Sequence, residues 1–188
     1  MLRFLNFPKG ISVIYGPAAS GKSTLCLQVV AATPGKIVYI DTENSFSVER
    51  IQKMNPDINL ENIIVIHARR YSEQFAAVKK LADVKSMSLV IVDSFTKYYR
   101  RKVQEKVTIR PPTIRMLTML KEMKAPVIIT AQVYSDMQGN TYPVGKDLLK
   151  RFAAQTIKLE NTNQKRTATI LETGMEIPFI ITEQGVRA

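Results

Sequence analysis

An α/β fold, with a mostly parallel central sheet flanked by helices and a C-terminal antiparallel extension, is predicted by three features of the 188-residue sequence. Short runs rich in β-branched residues alternate with segments of helical periodicity. The run Leu89-Val90-Ile91-Val92-Asp93 is apolar at successive positions, as in a strand covered on both faces. A glycine-containing turn follows the first such run directly and opens straight into a helical pattern.

Ile11-Ser12-Val13-Ile14-Tyr15 reads as the first strand and residues 22–32 as a helix, which Pro34-Gly35 stops. Residues 36–41 form a second strand, 48–54 a short helix and 62–66 a third strand. In residues 73–84 the apolar positions Phe75, Val78, Leu81 and Ala82 recur at spacings of three and four, as a helix requires. The strand ending at Asp93 comes next. Pro111-Pro112 then precede a helix over 113–123, and residues 125–130 give a fifth strand. The polar stretch 134–145 is expected as a long functional loop. Residues 156–159, 167–171 and 179–182 are expected as the antiparallel tail. Length and the lack of repeats or linkers predict a single domain over residues 1–188.

An apolar fraction of 45% with 23% charged residues is that of an ordinary soluble protein. No apolar run approaches the ~20 residues of a membrane span, and the first residues lack a signal-peptide pattern. The lone Cys26 excludes an internal disulfide and fits core packing in a reducing, cytoplasmic setting. The net charge of +11 is concentrated: residues 97–124 hold nine basic against two acidic side chains, and residues 146–166 hold six against two, which accounts for the whole excess. Two such blocks predict an acidic polymer as partner.

Gly16-Pro17-Ala18-Ala19-Ser20-Gly21-Lys22-Ser23 satisfies the P-loop pattern between strand and helix, with Thr24 following in the helix. Its N–H groups and the helix N-terminus suit phosphate, Lys22 suits the β- and γ-phosphates, and Ser23 suits Mg²⁺. ATP and Mg²⁺ are therefore the expected ligands. Asp93, at the end of the central strand, is the expected acidic partner of Mg²⁺. Glu43, just past the second strand, is the expected base that activates water, with Asp41 as its rival.

Asp41-Thr42-Glu43-Asn44-Ser45-Phe46-Ser47-Val48-Glu49-Arg50 resembles a segment of the archaeal and eukaryotic RecA-family recombinases. Residues 89–94 with Tyr99-Arg100 resemble their Mg²⁺-binding strand and its exit, and residues 127–133 resemble a further strand, with Ala131 in place of the usual Asn. Pro143-Val144-Gly145 is similar to the close of their second DNA loop. The match covers the chain from about residue 11 to residue 186 and is nearest to the small archaeal RadB-like paralogues. It implies a P-loop NTPase with a RecA-like core, Gln132 as γ-phosphate sensor and Arg50 stacked on adenine. It also implies DNA-facing loops at 97–110 and 134–147. Lys97, Tyr98, Tyr99, Arg100, Arg101, Lys102, Lys106, Arg110, Lys146, Lys150 and Arg151 are the residues offered to DNA, single strands foremost.

About ten residues precede the first strand, so the N-terminal DNA-binding domain and polymerisation linker of the recombinases are not expected. A paralogue or mediator with slow ATP hydrolysis, working beside a recombinase and capable of homo- or hetero-oligomers, is expected over an autonomous strand-exchange enzyme. A small nucleotide kinase, which the glycine-rich stretch also resembles, and an ATP-binding scaffold without hydrolysis are the alternatives.

Overall fold

The computed structural model describes residues 6–162 and 165–188. In chain order these form β1 (Gly10–Tyr15), α1 (Lys22–Ala32), β2 (Lys36–Asp41), α2 (Val48–Met54), β3 (Ile63–His67), α3 (Tyr71–Lys80), β4 (Met87–Asp93), α4 (Lys97–Gln104), α5 (Arg110–Lys121) and β5 (Pro126–Ala131). There follow β6 (Val133–Ser135), β7 (Thr141–Pro143), α6 (Lys146–Phe152), β8 (Ala153–Thr162), β9 (Lys165–Ile170), β10 (Met175–Thr182) and β11 (Gly185–Arg187). The main sheet runs β11-β10-β9-β8-β1-β5-β4-β2-β3, with β6 and β7 paired separately.

The continuous apolar runs expected of strands covered on both faces are so covered. Ile14, Ile37, Tyr39, Leu89, Ile91 and Ile128 pack with α1 on one face. Val13, Val38, Ile40, Val90, Val92 and Ile129 pack on the other with Val78 of α3, Leu117 of α5 and Leu149 of α6. Because side chains alternate along a strand, Tyr39, Asp93 and Thr130 fall on the α1 face, the side from which the P-loop helix approaches. Strand β5 lies between β1 and β4, so the strands bearing the P-loop and Asp93 are separated by the one leading to Gln132.

Four expectations are corrected. The segment 97–110, expected as a loop, begins with the helix α4. Its Lys, Arg and Gln residues are good helix formers, and Tyr98 anchors its inner face. The stretch 134–145 is not featureless but is the β6–β7 hairpin. Asp136 closes its turn by accepting the N–H groups of Gln138 and Asn140 at 2.9 and 2.8 Å, with Gly139 at positive φ. Pro111 and Pro112 lie within the first turn of α5, where their missing N–H groups cost nothing. Finally, the first tail strand is not antiparallel to its inner neighbour. β8 pairs parallel with β1, because the unforeseen α6 carries the chain back before β8 begins, and only β9, β10 and β11 add antiparallel.

Truncating the central, fully buried Ile91 to Ala should lower stability in urea by about 2–5 kcal/mol. The same change at Ile64, 38% exposed on the open edge strand β3, should stay within about 0.5 kcal/mol.

Candidate functional site

The P-loop is shaped by backbone as much as by side chains. Ala19 and Gly21 both have positive φ, 57° and 104°, which turns successive N–H groups toward one concavity. A side chain at Gly16 would place its Cβ 2.3 Å from the Leu159 carbonyl oxygen of β8; only glycine fits. Lys22 extends back over the loop, its Nζ donating to the carbonyls of Gly16 and Pro17 at 2.9 and 2.7 Å. Burial pushes the Lys22 pKa down, while the Asp93 and Glu43 carboxylates pull it partly back. Ser20 is buried, and its hydroxyl has no hydrogen-bond partner among the described residues. A half-buried ammonium hydrogen-bonded to carbonyls, beside an unsatisfied hydroxyl and converging N–H groups, fits a polyphosphate.

Asp93 is 1% exposed. Its Oδ2 accepts from the Tyr39 hydroxyl at 2.8 Å and the Ser45 hydroxyl at 2.9 Å, and its Oδ1 from Thr130 at 2.5 Å. Burial and the adjacent carboxylate push the Tyr39 phenol pKa well up, so Tyr39 stays a donor. With three hydroxyls on it, the Asp93 carboxylate has little accepting capacity left. Its fit to Mg²⁺ is therefore through an intervening hydroxyl or water rather than by direct ligation. Ser23, in the first turn of α1, is the other residue suited to the ion, and a site of one hydroxyl with phosphate and water oxygens suits Mg²⁺ chemistry.

Glu43 and Gln132, 89 residues apart in sequence, meet: Gln132 Nε2 donates to Glu43 Oε1 at 2.9 Å. Asp41, the rival for the base, is 2% exposed. Its carboxylate accepts the N–H groups of Glu43, Ser45 and Phe46 at 3.1, 3.2 and 3.0 Å, so it shapes the loop that presents Glu43. Neither sequence pattern nor spacing signalled that role. Arg50, expected over adenine, donates from Nη2 to the Thr24 hydroxyl at 2.8 Å, which holds α2 against the P-loop helix.

The basic residues are distributed unevenly. Tyr98 is a correction: it is 7% exposed, with its hydroxyl donating to the Ala68 carbonyl at 2.8 Å, and offers no stacking face. Tyr99 packs on the core beneath Gly145. Lys97 turns inward, its Nζ 2.5 Å from the Thr42 carbonyl oxygen. Arg100 reaches the Val133 carbonyl at 3.5 Å, which brings α4 beside the β6–β7 hairpin and so draws the two basic blocks together. Arg101 and Lys102 share Glu105, and Lys146 lies over the Tyr142 ring, 3.6 Å from its centroid. Among the described residues no ion pair holds Lys106, Arg110, Lys150 or Arg151, and all four are exposed.

The Rad51 family model matches residues 8–187. The chain belongs to the Rad51 family. It is 34% identical to the DNA repair and recombination protein RadB of Methanocaldococcus jannaschii, an alignment covering 96% of this chain and 94% of that protein. Against RadB of Archaeoglobus fulgidus it is 32% identical, over 94% of this chain and 88% of the relative. The crystal structure of the RadB recombinase superposes with a TM-score of 0.79 at 28% identity, covering 95% of this chain and 90% of that one. The fold is thus the RecA-like P-loop fold, and the chain is a RadB-like paralogue within the Rad51 family. Members of this family are ATPases.

Replacing Thr130 with Val, which keeps its shape but removes one donor from the buried Asp93, should lower stability by about 1.5–3 kcal/mol. Urea unfolding of the variant would read this directly, and an unchanged midpoint would show that the carboxylate does not depend on that hydroxyl.

Proposed function

We propose that this chain is an ATP-dependent DNA-binding protein of the RecA type, acting in homologous recombination or repair as a paralogue or mediator with slow ATP hydrolysis. The observation that carries the hydrolytic part is the Glu43–Gln132 hydrogen bond of 2.9 Å, formed beyond the ends of the strands that flank Asp93. A carboxylate there can take a proton from water attacking the terminal phosphoryl group, and the amide bonded to it can register whether that group is present. Lys22 and the N–H groups of residues 18–24, with Arg50 at the edge of the site, hold the nucleotide. A magnesium ion at Ser23 and Asp93, when bound, neutralises phosphate charge.

For DNA, the support is the gathering of both basic blocks around α4, the β6–β7 hairpin and α6. Arg100, Arg101, Lys102, Lys106, Arg110, Lys150 and Arg151 give this region its positive field, with Tyr99 and Lys146 at its inner edge. Electrostatic contacts of this kind attract any nucleic-acid backbone, and a preference for single strands is part of the proposal. The names of the relatives support recombination and repair as the setting; we propose that the chain acts there as one domain in the cytoplasm, with a recombinase or a further subunit as protein partner. Among the described residues no helix is long and apolar enough to cross a membrane. The kinase alternative has no support in the family match.

ATP turnover with and without single-stranded DNA, on wild type, Lys22→Ala and Glu43→Gln, tests this reading. Lys22→Ala should abolish turnover and the thermal stabilisation by ATP and Mg²⁺, which at 100 times the Kd is worth about 2.7 kcal/mol. Glu43→Gln should keep the stabilisation and lose turnover. DNA affinity should fall with salt, with a log–log slope of about −0.7 per phosphate contacted. Stabilisation without turnover in wild type would leave an ATP-binding scaffold, and no DNA binding at low salt would remove the nucleic-acid half.

A further inference from the structure

Lys97 heads the first basic block in sequence, yet its ammonium is the one that turns away from the exposed face of α4. It donates to the carbonyl oxygen of Thr42 at 2.5 Å, and the Tyr98 hydroxyl lies 3.4 Å from the same oxygen. That carbonyl belongs to the peptide unit joining Thr42 to Glu43. The N–H of the same unit donates to Asp41 Oδ1 at 3.1 Å. One rigid peptide plane is therefore held at both ends, and the Cα of Glu43 leaves directly from it. An ammonium on a carbonyl is a charge-assisted bond, about twice as strong as a neutral one.

The residue before Lys97 performs the matching task on Gln132. Thr96 Oγ1 accepts the Gln132 N–H at 2.8 Å, while the Gln132 side chain donates to Glu43. Both members of the Glu43–Gln132 pair are thus referenced to adjacent residues at the start of α4. Thr42 is fastened further through its hydroxyl, which donates to the Ser94 carbonyl and accepts the Ser94 N–H, each at 2.9 Å. Arg100 and Arg101, three and four residues on from Lys97 and so on the same face of the helix, are exposed.

We propose that Lys97 is a positioning residue for Glu43 rather than a DNA contact, and that α4 is the element through which nucleic acid on the basic face sets the hydrolytic carboxylate. This inference rests on the ATPase and DNA-binding reading given under Proposed function. A polyanion drawn onto Arg100 and Arg101 pulls on a helix whose first turn grips the Thr42–Glu43 peptide, so a shift of α4 moves the carboxylate relative to Gln132. Displacements of about 1 Å at a reacting group alter rates by up to about 10²-fold.

The test compares wild type, Lys97→Met, which keeps the aliphatic stem, and Lys97→Arg, which keeps the charge, with thermal unfolding as the check on folding. Amide hydrogen exchange over residues 42–46, without nucleotide, should be faster in Lys97→Met and near wild type in Lys97→Arg. A single-stranded oligonucleotide should change exchange over 42–46 in wild type and leave it unchanged in Lys97→Met. In turnover, Lys97→Met should lose at least about tenfold in kcat with KM for ATP unchanged, and Lys97→Arg should recover much of the loss. DNA affinity and its salt slope should match wild type in both. The inference is overturned if Lys97→Met instead loses about 0.7 from the slope on single strands while exchange and kcat stay as in wild type. A wild type without turnover or DNA binding would sink the parent reading and the coupling together. Exchange over 42–46 would still decide the positioning role, with no change in Lys97→Met counting against it.

Discussion

Everything at the working end of this molecule depends on satisfying the hydrogen-bond demand of one carboxylate, Asp93, that has almost no water around it. An unpaired charge in such a place would cost several kcal/mol, and Asp93 is accommodated because three hydroxyls converge on it from different elements. Tyr39 comes from β2 and Thr130 from β5, the two neighbours of β4 in the sheet, and Ser45 comes from the loop beyond β2. Meeting the hydrogen-bond demand of Asp93 thus locks the carboxyl ends of three strands and the loop of Glu43 into one arrangement. Thr130 lies two residues before Gln132, so the same requirement that anchors the core of the sheet also fixes where the Glu43 partner emerges.

A second carboxylate makes the constraint sharper. Asp41 is the direct cross-strand partner of Asp93 in the β2–β4 register, and both are almost fully buried. Like charges opposite one another in a sheet are destabilising, so each aspartate needs its own set of donors. Asp93 takes hydroxyls; Asp41 takes three backbone N–H groups from residues 43–46, with His67 3.7 Å away at the exposed side. The ammonium groups of Lys22, on the P-loop, and Lys97, on the Thr42 carbonyl, add positive charge on either flank. The arrangement explains why the 42–46 loop is ordered without regular secondary structure. The N–H of Thr42 continues the pairing with β4 at the Asp93 carbonyl, and those of Glu43, Ser45 and Phe46 turn onto Asp41.

Sequence pattern was most legible where burial is two-sided and local. β1 through β5 and the P-loop follow from apolar runs and one motif, because a strand covered on both faces leaves little choice of residue. The residues of the site could be named from the resemblance, but their grouping could not. That Gln132 donates to Glu43, or that Asp41 shapes the loop, depends on register between strands far apart in sequence. The misreadings share a cause as well. The resemblance implies DNA-facing loops at 97–110 and 134–147, and a polar segment with basic side chains says loop and helix equally well until a buried contact decides. Tyr98 decides it for α4, and Leu148 and Leu149 decide it for α6. Once α6 is missed, the strand after it loses its crossover, and the parallel place of β8 beside β1 goes unseen, although its antiparallel pairing with β9 is legible.

The same limit governs the charge. A sequence can count fifteen basic residues in two blocks, but only the fold shows how each is used. An ammonium bonded to a carbonyl, or one of two cations sharing a single carboxylate as Arg101 and Lys102 do, is less available to a phosphate than a side chain in open solvent. Long-range attraction is nevertheless set by the total field, which such local bonds barely reduce. The two blocks can therefore steer a polyanion toward this end of the sheet as a group, while only some members grip it. Charge clustering thus predicts where a partner arrives, and burial and bonding separate the residues that hold it from those that respond to it.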